Sequence, residues 1–168
     1  MTTSEQGQAV NDEIRSVLSE LASLDRPTIA VINGDAFGGG VELASSFDFV
    51  LAAPHVMIAL WQRKIALSFG WGGGARIEKR IGSARLRSLS LSTEALTAHG
   101  ALAIGLIDEV VQESQLMTRA QSLAVQLTSL PKEPLVAAKN FTPAIETESF
   151  QKLWWNETHR AVLRIRNK

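Results

Sequence analysis

The chain has 168 residues, 17 Lys and Arg against 17 Asp and Glu, and no cysteine. Such a length suits one domain, or a domain with a small appendage, and buries enough surface to fold without cross-links. The absence of cysteine excludes a disulfide framework, a thiolate zinc site and a cysteine nucleophile, and a net charge of zero argues against a general nucleic-acid binder.

Val10, Ile14, Val17, Leu18, Leu21 and Leu24 recur at helical spacing and predict an amphipathic helix over 8–25, stopped ahead of Pro27. Residues 28–32 form a short β-branched run that reads as a buried strand. A glycine-rich turn over 34–40 leads into a helix over 41–46. Two strands follow, 49–53 and 56–60, joined by the turn Ala53-Pro54-His55. A second glycine cluster, 70–74, opens a helix that Gly82 ends at about Ile81. Segments 86–91 and 98–104 read as helices and 106–111 as a strand. From Ser114 onward only helices remain, over 114–129, 133–144 and 147–166. The pattern predicts an α/β unit over 1–112 and a helical C-terminal region over 113–168. No apolar run approaches the ~18 residues of a membrane span, and Met1 to Gln6 has no signal-peptide character. A cytoplasmic location, with neither membrane nor nucleic acid as partner, is the expectation.

The first glycine loop excludes two phosphate-binding devices. A phosphate loop needs Lys and Ser/Thr where Gly40-Val41 stands, and a dinucleotide fingerprint is broken by Asp35-Ala36-Phe37 after Gly34. Two readings remain open. The glycines permit a tight strand-to-helix turn, or their backbone N–H groups at a helix start stabilise an oxyanion on a carbonyl substrate.

The run Arg26-Pro-Thr-Ile-Ala-Val-Ile-Asn-Gly-Asp-Ala-Phe-Gly-Gly-Gly-Val-Glu-Leu-Ala44 resembles the signature of the enoyl-CoA hydratase/isomerase (crotonase) superfamily. The similarity continues through Asp48, Ala52 and the second glycine cluster to Arg76. It resumes at Ala98, Ala101 and Gly105–Val111, and again at Pro134–Lys139. The resemblance implies a crotonase-like ββα spiral lacking the usual N-terminal part. It also implies an acyl-CoA thioester as substrate, with coenzyme A as part of that substrate and no separate cofactor or metal. By the same resemblance Gly39 matches a glycine that gives one oxyanion N–H donor, and Glu42 matches the first catalytic glutamate. Phe37, Gly38, Gly39 and Trp61 fall at substrate-binding positions. Glu42 has a plainer reading too, as an acidic residue in a first helical turn.

Three departures stand out. The family's second glutamate, twenty residues after the first, is Gln62 here. An amide positions water or a thioester but exchanges no proton near neutral pH, so hydration should be impaired. Phe69 and Gly74 replace the usual proline and threonine, and Trp71-Gly-Gly resembles a variant among superfamily decarboxylases. The plainer expectation for Trp71 is a core position. Thirdly, the family's N-terminal half, with the other oxyanion donor, has no counterpart in the chain.

His55, His99 and His159 share no metal-ligand spacing and read as turn or surface residues. Ser45-Ser46 lack a nucleophile elbow, and Asp35 reads as a turn aspartate. Arg160, Arg164, Arg166 and Lys168 form a basic end suited to solvent or to CoA phosphates of a neighbouring subunit. Phe150, Leu153, Trp154, Ala161 and Leu163 form an apolar set for packing or assembly, and the resemblance implies a trimer or dimer of trimers. Three activities follow as expectations: an enoyl-CoA hydratase/isomerase, a decarboxylase of a malonyl-type acyl-CoA, or a non-catalytic acyl-CoA-binding subunit. A separate polypeptide supplying the missing half is a further expectation.

Overall fold

The computed structural model describes residues 3–166, with Arg166 described by its backbone alone. Helix α1 (Ser4–Ala22) is capped by Thr3, whose Oγ1 accepts the Gln6 N–H at 3.2 Å. That cap starts the helix earlier than its apolar pattern suggests. Only Leu18 on α1 is buried, while Val10 and Val17 stay exposed.

The first four strands alternate between two small sheets. Strands β1 (Ile29–Ile32), β3 (Phe49–Ala52) and β6 (Glu109–Val110) form a parallel sheet in the order β1-β3-β6, with Ile29 opposite Phe49 and Leu51 opposite Glu109. Strands β2 (Ala36–Phe37), β4 (Met57–Ala59) and β5 (Leu96–Thr97) form the other sheet. There β2 runs parallel to β4, and β5 antiparallel to it. Each pass lays a strand in one sheet, then the other, then a helix: β1, β2 and α2 (Gly39–Ala44), then β3, β4 and α3 (Gly73–Ser92). This is the ββα repeat of a spiral. Helix α4 (Ala98–Ala103) leads from β5 back to β6.

The strands are near-continuous apolar runs because they are covered on both faces. Val50, Leu51, Ala52, Val56 and Ile58 meet Ile77 and Ile81 of α3, Ala98 and Ala101 of α4, and Ile107 in one core. Helix α5 (Leu116–Thr128) packs on β1 and β3 and adds Leu116 and Ala120 to that core.

Carboxylates tie the start of the parallel sheet. Asp48 Oδ2 accepts the Thr28 N–H at 2.7 Å and Lys139 Nζ at 2.9 Å. Asp108 Oδ2 accepts the Val50 N–H at 2.7 Å and pairs with Arg80 at 3.1 Å. The same guanidinium donates to the Asp48 carbonyl at 2.9 Å. One polar clamp thus joins β1, β3, α3 and α6 (Lys132–Lys139).

Several boundaries differ from the sequence expectation. Strands β2 and β5, two residues each, are too short to carry a periodic signal. The strand expected over 106–111 narrows to Glu109–Val110. At Gly82, φ 79° and ψ 157° are non-helical, so α3 is two helical segments meeting at a kink, and the first ends where the sequence places its end. Glycine adopts that backbone at little cost, which is why the first segment stops there and the second sets off in a new direction. The helix expected over 133–144 ends at Lys139. The last helix is two, α7 (Glu146–Leu153) and α8 (Glu157–Arg166). Trp155 between them has φ 60°, and Asn156 Oδ1 caps α8 by accepting the His159 N–H at 2.8 Å. Among the described residues, no helix is long and apolar enough to cross a membrane.

Candidate functional site

Gly38 turns β2 into α2 with φ 52° and ψ −109°. Its N–H donates to the Ala59 carbonyl at 2.9 Å, adding a rung between the β2 and β4 segments. Its carbonyl accepts the Val41 and Glu42 N–H groups at 3.1 and 3.2 Å. The fold therefore uses both backbone groups of Gly38. The next N–H, that of Gly39, has no acceptor among the described residues.

One turn on, Glu42 is 3% exposed. Its Oε2 accepts the N–H groups of Trp71 and Gly73, each at 3.0 Å. Its Oε1 accepts Gln62 Nε2 at 3.1 Å and the Gly70 N–H at 3.4 Å. The second glycine cluster, at the start of the long helix α3, thus folds around this carboxylate, where the helix dipole favours negative charge. Gly73 must be glycine, because a Cβ there would overlap Glu42 Cγ and lie 2.6 Å from its Cα. All four acceptor positions of the carboxylate are filled, so a proton or a water reaching it must displace a donor.

Arg76 braces the same corner. Its Nη2 donates to the Trp71 carbonyl at 2.9 Å and to the Glu42 carbonyl at 3.4 Å. Burial pulls its pKa below the usual guanidinium value, and the Glu42 charge partly opposes that. The Ser45 and Ser46 hydroxyls donate to the Glu42 carbonyl at 2.7 and 3.3 Å, a local helix role.

Gln62 opens a 3₁₀ turn, Gln62–Ile65, directly after β4 and Trp61. Its side chain is buried and its Oε1 has no donor among the described residues. An unpaired buried acceptor costs about 1–3 kcal/mol. Beside it Trp61 stacks on Phe37, with centroids 3.9 Å apart, and Lys64 Nζ lies 3.8 Å from the Trp61 ring centroid. Trp61 Nε1 donates to the Thr93 carbonyl at 3.0 Å, which fixes the ring.

Trp71 is half-buried, which corrects the expectation of a core position. Its indole lies on Gly39: a Cβ at residue 39 would overlap Cζ3 and lie 2.6 Å from Cη2. Helix α1 reaches the same loop, Arg15 Nε donating to the Gly70 carbonyl at 3.2 Å. Arg15 lies on the polar side of its helix and Lys64 in a short turn, so periodicity gave no signal for either.

The remaining candidates are scattered. Asp35 Oδ1 accepts the Met57 N–H at 2.8 Å and pins β4. His55 and His99 are exposed, whereas His159 Nδ1 accepts the Trp155 N–H at 3.0 Å. Arg160 and Arg164 are exposed; Lys168 and the Arg166 side chain lie outside the described residues. Among the described residues, no group of three or more His, Cys, Asp or Glu is placed to hold a metal ion.

Known proteins share this fold. The enoyl-CoA hydratase/isomerase family profile matches residues 1–157. The chain is 36% identical over 122 residues to carnitinyl-CoA dehydratase of Salmonella paratyphi A, covering 73% of this chain and 47% of that protein. It thus spans about half the length of the curated relatives it matches. Enoyl-CoA hydratase of Bacillus anthracis superposes with a TM-score of 0.90 at 26% identity, over 97% of this chain and 67% of that one. DspI of Pseudomonas aeruginosa gives 0.89 at 23% identity, over 98% and 67%. The glycine loops, the alternating sheets and these matches together establish that the chain has the crotonase fold and belongs to the enoyl-CoA hydratase/isomerase family.

Proposed function

We propose that the chain binds an acyl-CoA thioester and stabilises its enolate, with Gly39 N–H as oxyanion donor and Glu42 as the proton-transfer group. The meeting of Glu42 and Gln62 at 3.1 Å, one turn from a Gly39 N–H with no acceptor among the described residues, carries the reading. In hydration of a 2-enoyl thioester, the water oxygen bonds to C3 and the π pair shifts toward the thioester. Charge then collects on the thioester oxygen, where the Gly39 N–H donates. Glu42 takes the water proton and returns one to C2. Gln62 holds Glu42 Oε1 and orients the water without exchanging a proton. Of the four donors on Glu42 the Gly70 N–H, at 3.4 Å, is the longest and yields first. Phe37 and Trp61 line the approach as a stacked pair, and coenzyme A enters with the substrate. The other oxyanion donor comes from a further stretch of chain or a separate polypeptide. A trimer or dimer of trimers is the proposed assembly, and the exposed Phe150 and Trp154 are apolar surface that it would cover.

In the form that turns over crotonyl-CoA, Glu42→Gln should lower kcat at least about 100-fold with little change in KM. An unchanged kcat would assign Glu42 to holding α3 alone.

One observation favours a second reading, loss of CO₂ from a malonyl-type thioester. The Glu42 carboxylate is already fully occupied, and decarboxylation requires no base. The C–C bond breaks, its electron pair enters the enolate, CO₂ leaves, and a solvent proton quenches the carbanion. Turnover of methylmalonyl-CoA but not crotonyl-CoA would select it; turnover of neither, with binding retained, would leave an acyl-CoA-binding subunit.

A further inference from the structure

We propose that Trp71 sets the size of the acyl group admitted to the corner between Gly39 and Glu42. The inference rests on the thioester reading above and adds a specificity residue to it. Gly39 and Glu42 are one helical turn apart and share a face of α2. The Trp71 indole covers that face at Gly39, with its benzo edge against the glycine Cα. A group that reaches the Gly39 N–H and Glu42 together therefore passes the indole.

The backbone that carries the ring is held in place. The Trp71 N–H is bound to Glu42 Oε2 at 3.0 Å, and its carbonyl accepts Arg76 Nη2 at 2.9 Å. On either side, the Gly70 and Gly73 N–H groups hold the same carboxylate. Arg15 of α1 holds the Gly70 carbonyl at 3.2 Å. Both backbone groups of Trp71 and both flanks of its loop are thus anchored. The indole is nonetheless only half-buried, so it acts as a wall facing the approach and not as core filling. Such a wall admits short acyl groups and turns away long ones. Discrimination of this kind amounts to about 10–200-fold per misfitting methylene.

The test is calorimetric titration of the full chain with coenzyme A, acetyl-CoA, butyryl-CoA and octanoyl-CoA. Wild type should bind the two short thioesters at least about 10-fold more tightly than octanoyl-CoA. Trp71→Ala should gain at least about 10-fold for octanoyl-CoA and leave coenzyme A unchanged. Trp71→Phe, a smaller ring, should shift the same ratio in the same direction, and it decides the matter if the alanine variant does not fold. Equal affinity of wild type for all chain lengths, or a ratio that neither variant moves, overturns the assignment while the thioester reading stands. Failure of wild type to bind any of the four ligands overturns the thioester reading itself, and this inference with it.

Discussion

Two carboxylate clusters hold this fold, and they are neutralised by different means. Asp48 and Asp108 meet Lys139 and Arg80, full positive charges at about 3 Å. Among the described residues the Glu42 carboxylate accepts from no cationic side chain, Arg76 reaching only the backbone carbonyl; its donors are three backbone N–H groups and one amide. The first cluster is a clamp between elements distant in sequence. The second shapes a loop around a single anion and leaves unpaired polar groups beside it: the Gly39 N–H and Gln62 Oε1. The Gly39 N–H is one of the donors that any helix start leaves over, whereas Gln62 Oε1 is a buried acceptor with no donor among the described residues.

Removing the anion from the loop should have the largest effect. Glu42→Leu leaves the Trp71, Gly73 and Gly70 N–H groups without their acceptor, and urea unfolding should show a loss of roughly 3–5 kcal/mol. A loss under about 1 kcal/mol would mean that the glycine cluster keeps its shape unaided, and the contrast between the clusters would collapse.

At the clamp, Lys139→Met leaves Asp48 with Thr28 as its side-chain partner, and the expected loss is about 2 kcal/mol. With Lys139 7% and Asp48 28% exposed, salt should weaken this pair only modestly, and the Glu42 contribution, built on fixed dipoles, less still. Equal salt sensitivity at both sites would contradict the distinction.

The smallest effect is expected from Gln62→Glu, which sets a second carboxyl against Glu42 where the amide now lies at 3.1 Å. Repulsion between like charges raises the pKa of the introduced group above its unfolded value. The variant is therefore most stable, relative to wild type, below the unfolded glutamate pKa, and that advantage is lost as pH rises through the raised folded value. A difference of about 1–2 kcal/mol between acidic and mildly alkaline solution is expected, and a pH-independent difference would place the two groups farther apart.

Much of this arrangement was legible in the sequence, for identifiable reasons. The β-branched and apolar strand segments, the two glycine clusters and the α/β order declare themselves through composition and spacing. Residues such as Asp48, Asp108 and Lys139 stood out only through family resemblance, and the structure supplies their physical role as the clamp. What escaped were features made by contact. Nothing in residues 147–166 marks a break, because neither glycine nor proline stands there; the chain turns at Trp155, stabilised by Asn156 and His159. The seat of Trp71 on Gly39 joins residues 32 positions apart and leaves no periodic trace. The occupation of Glu42 by the second glycine cluster was likewise hidden, since backbone N–H groups carry no letter in a sequence.

The clamp also bears on time. Lys139 Nζ donates to the Arg26 carbonyl and to Asp48, residues 113 and 91 positions earlier in the chain. Closing a loop of that length is rewarded only after the intervening strands have paired. If the contact forms after the rate-limiting step, its strength is felt almost wholly by the reverse reaction. Lys139→Met is therefore expected to hasten unfolding and leave the refolding rate unchanged, and a slowed refolding limb would place the contact in the transition state.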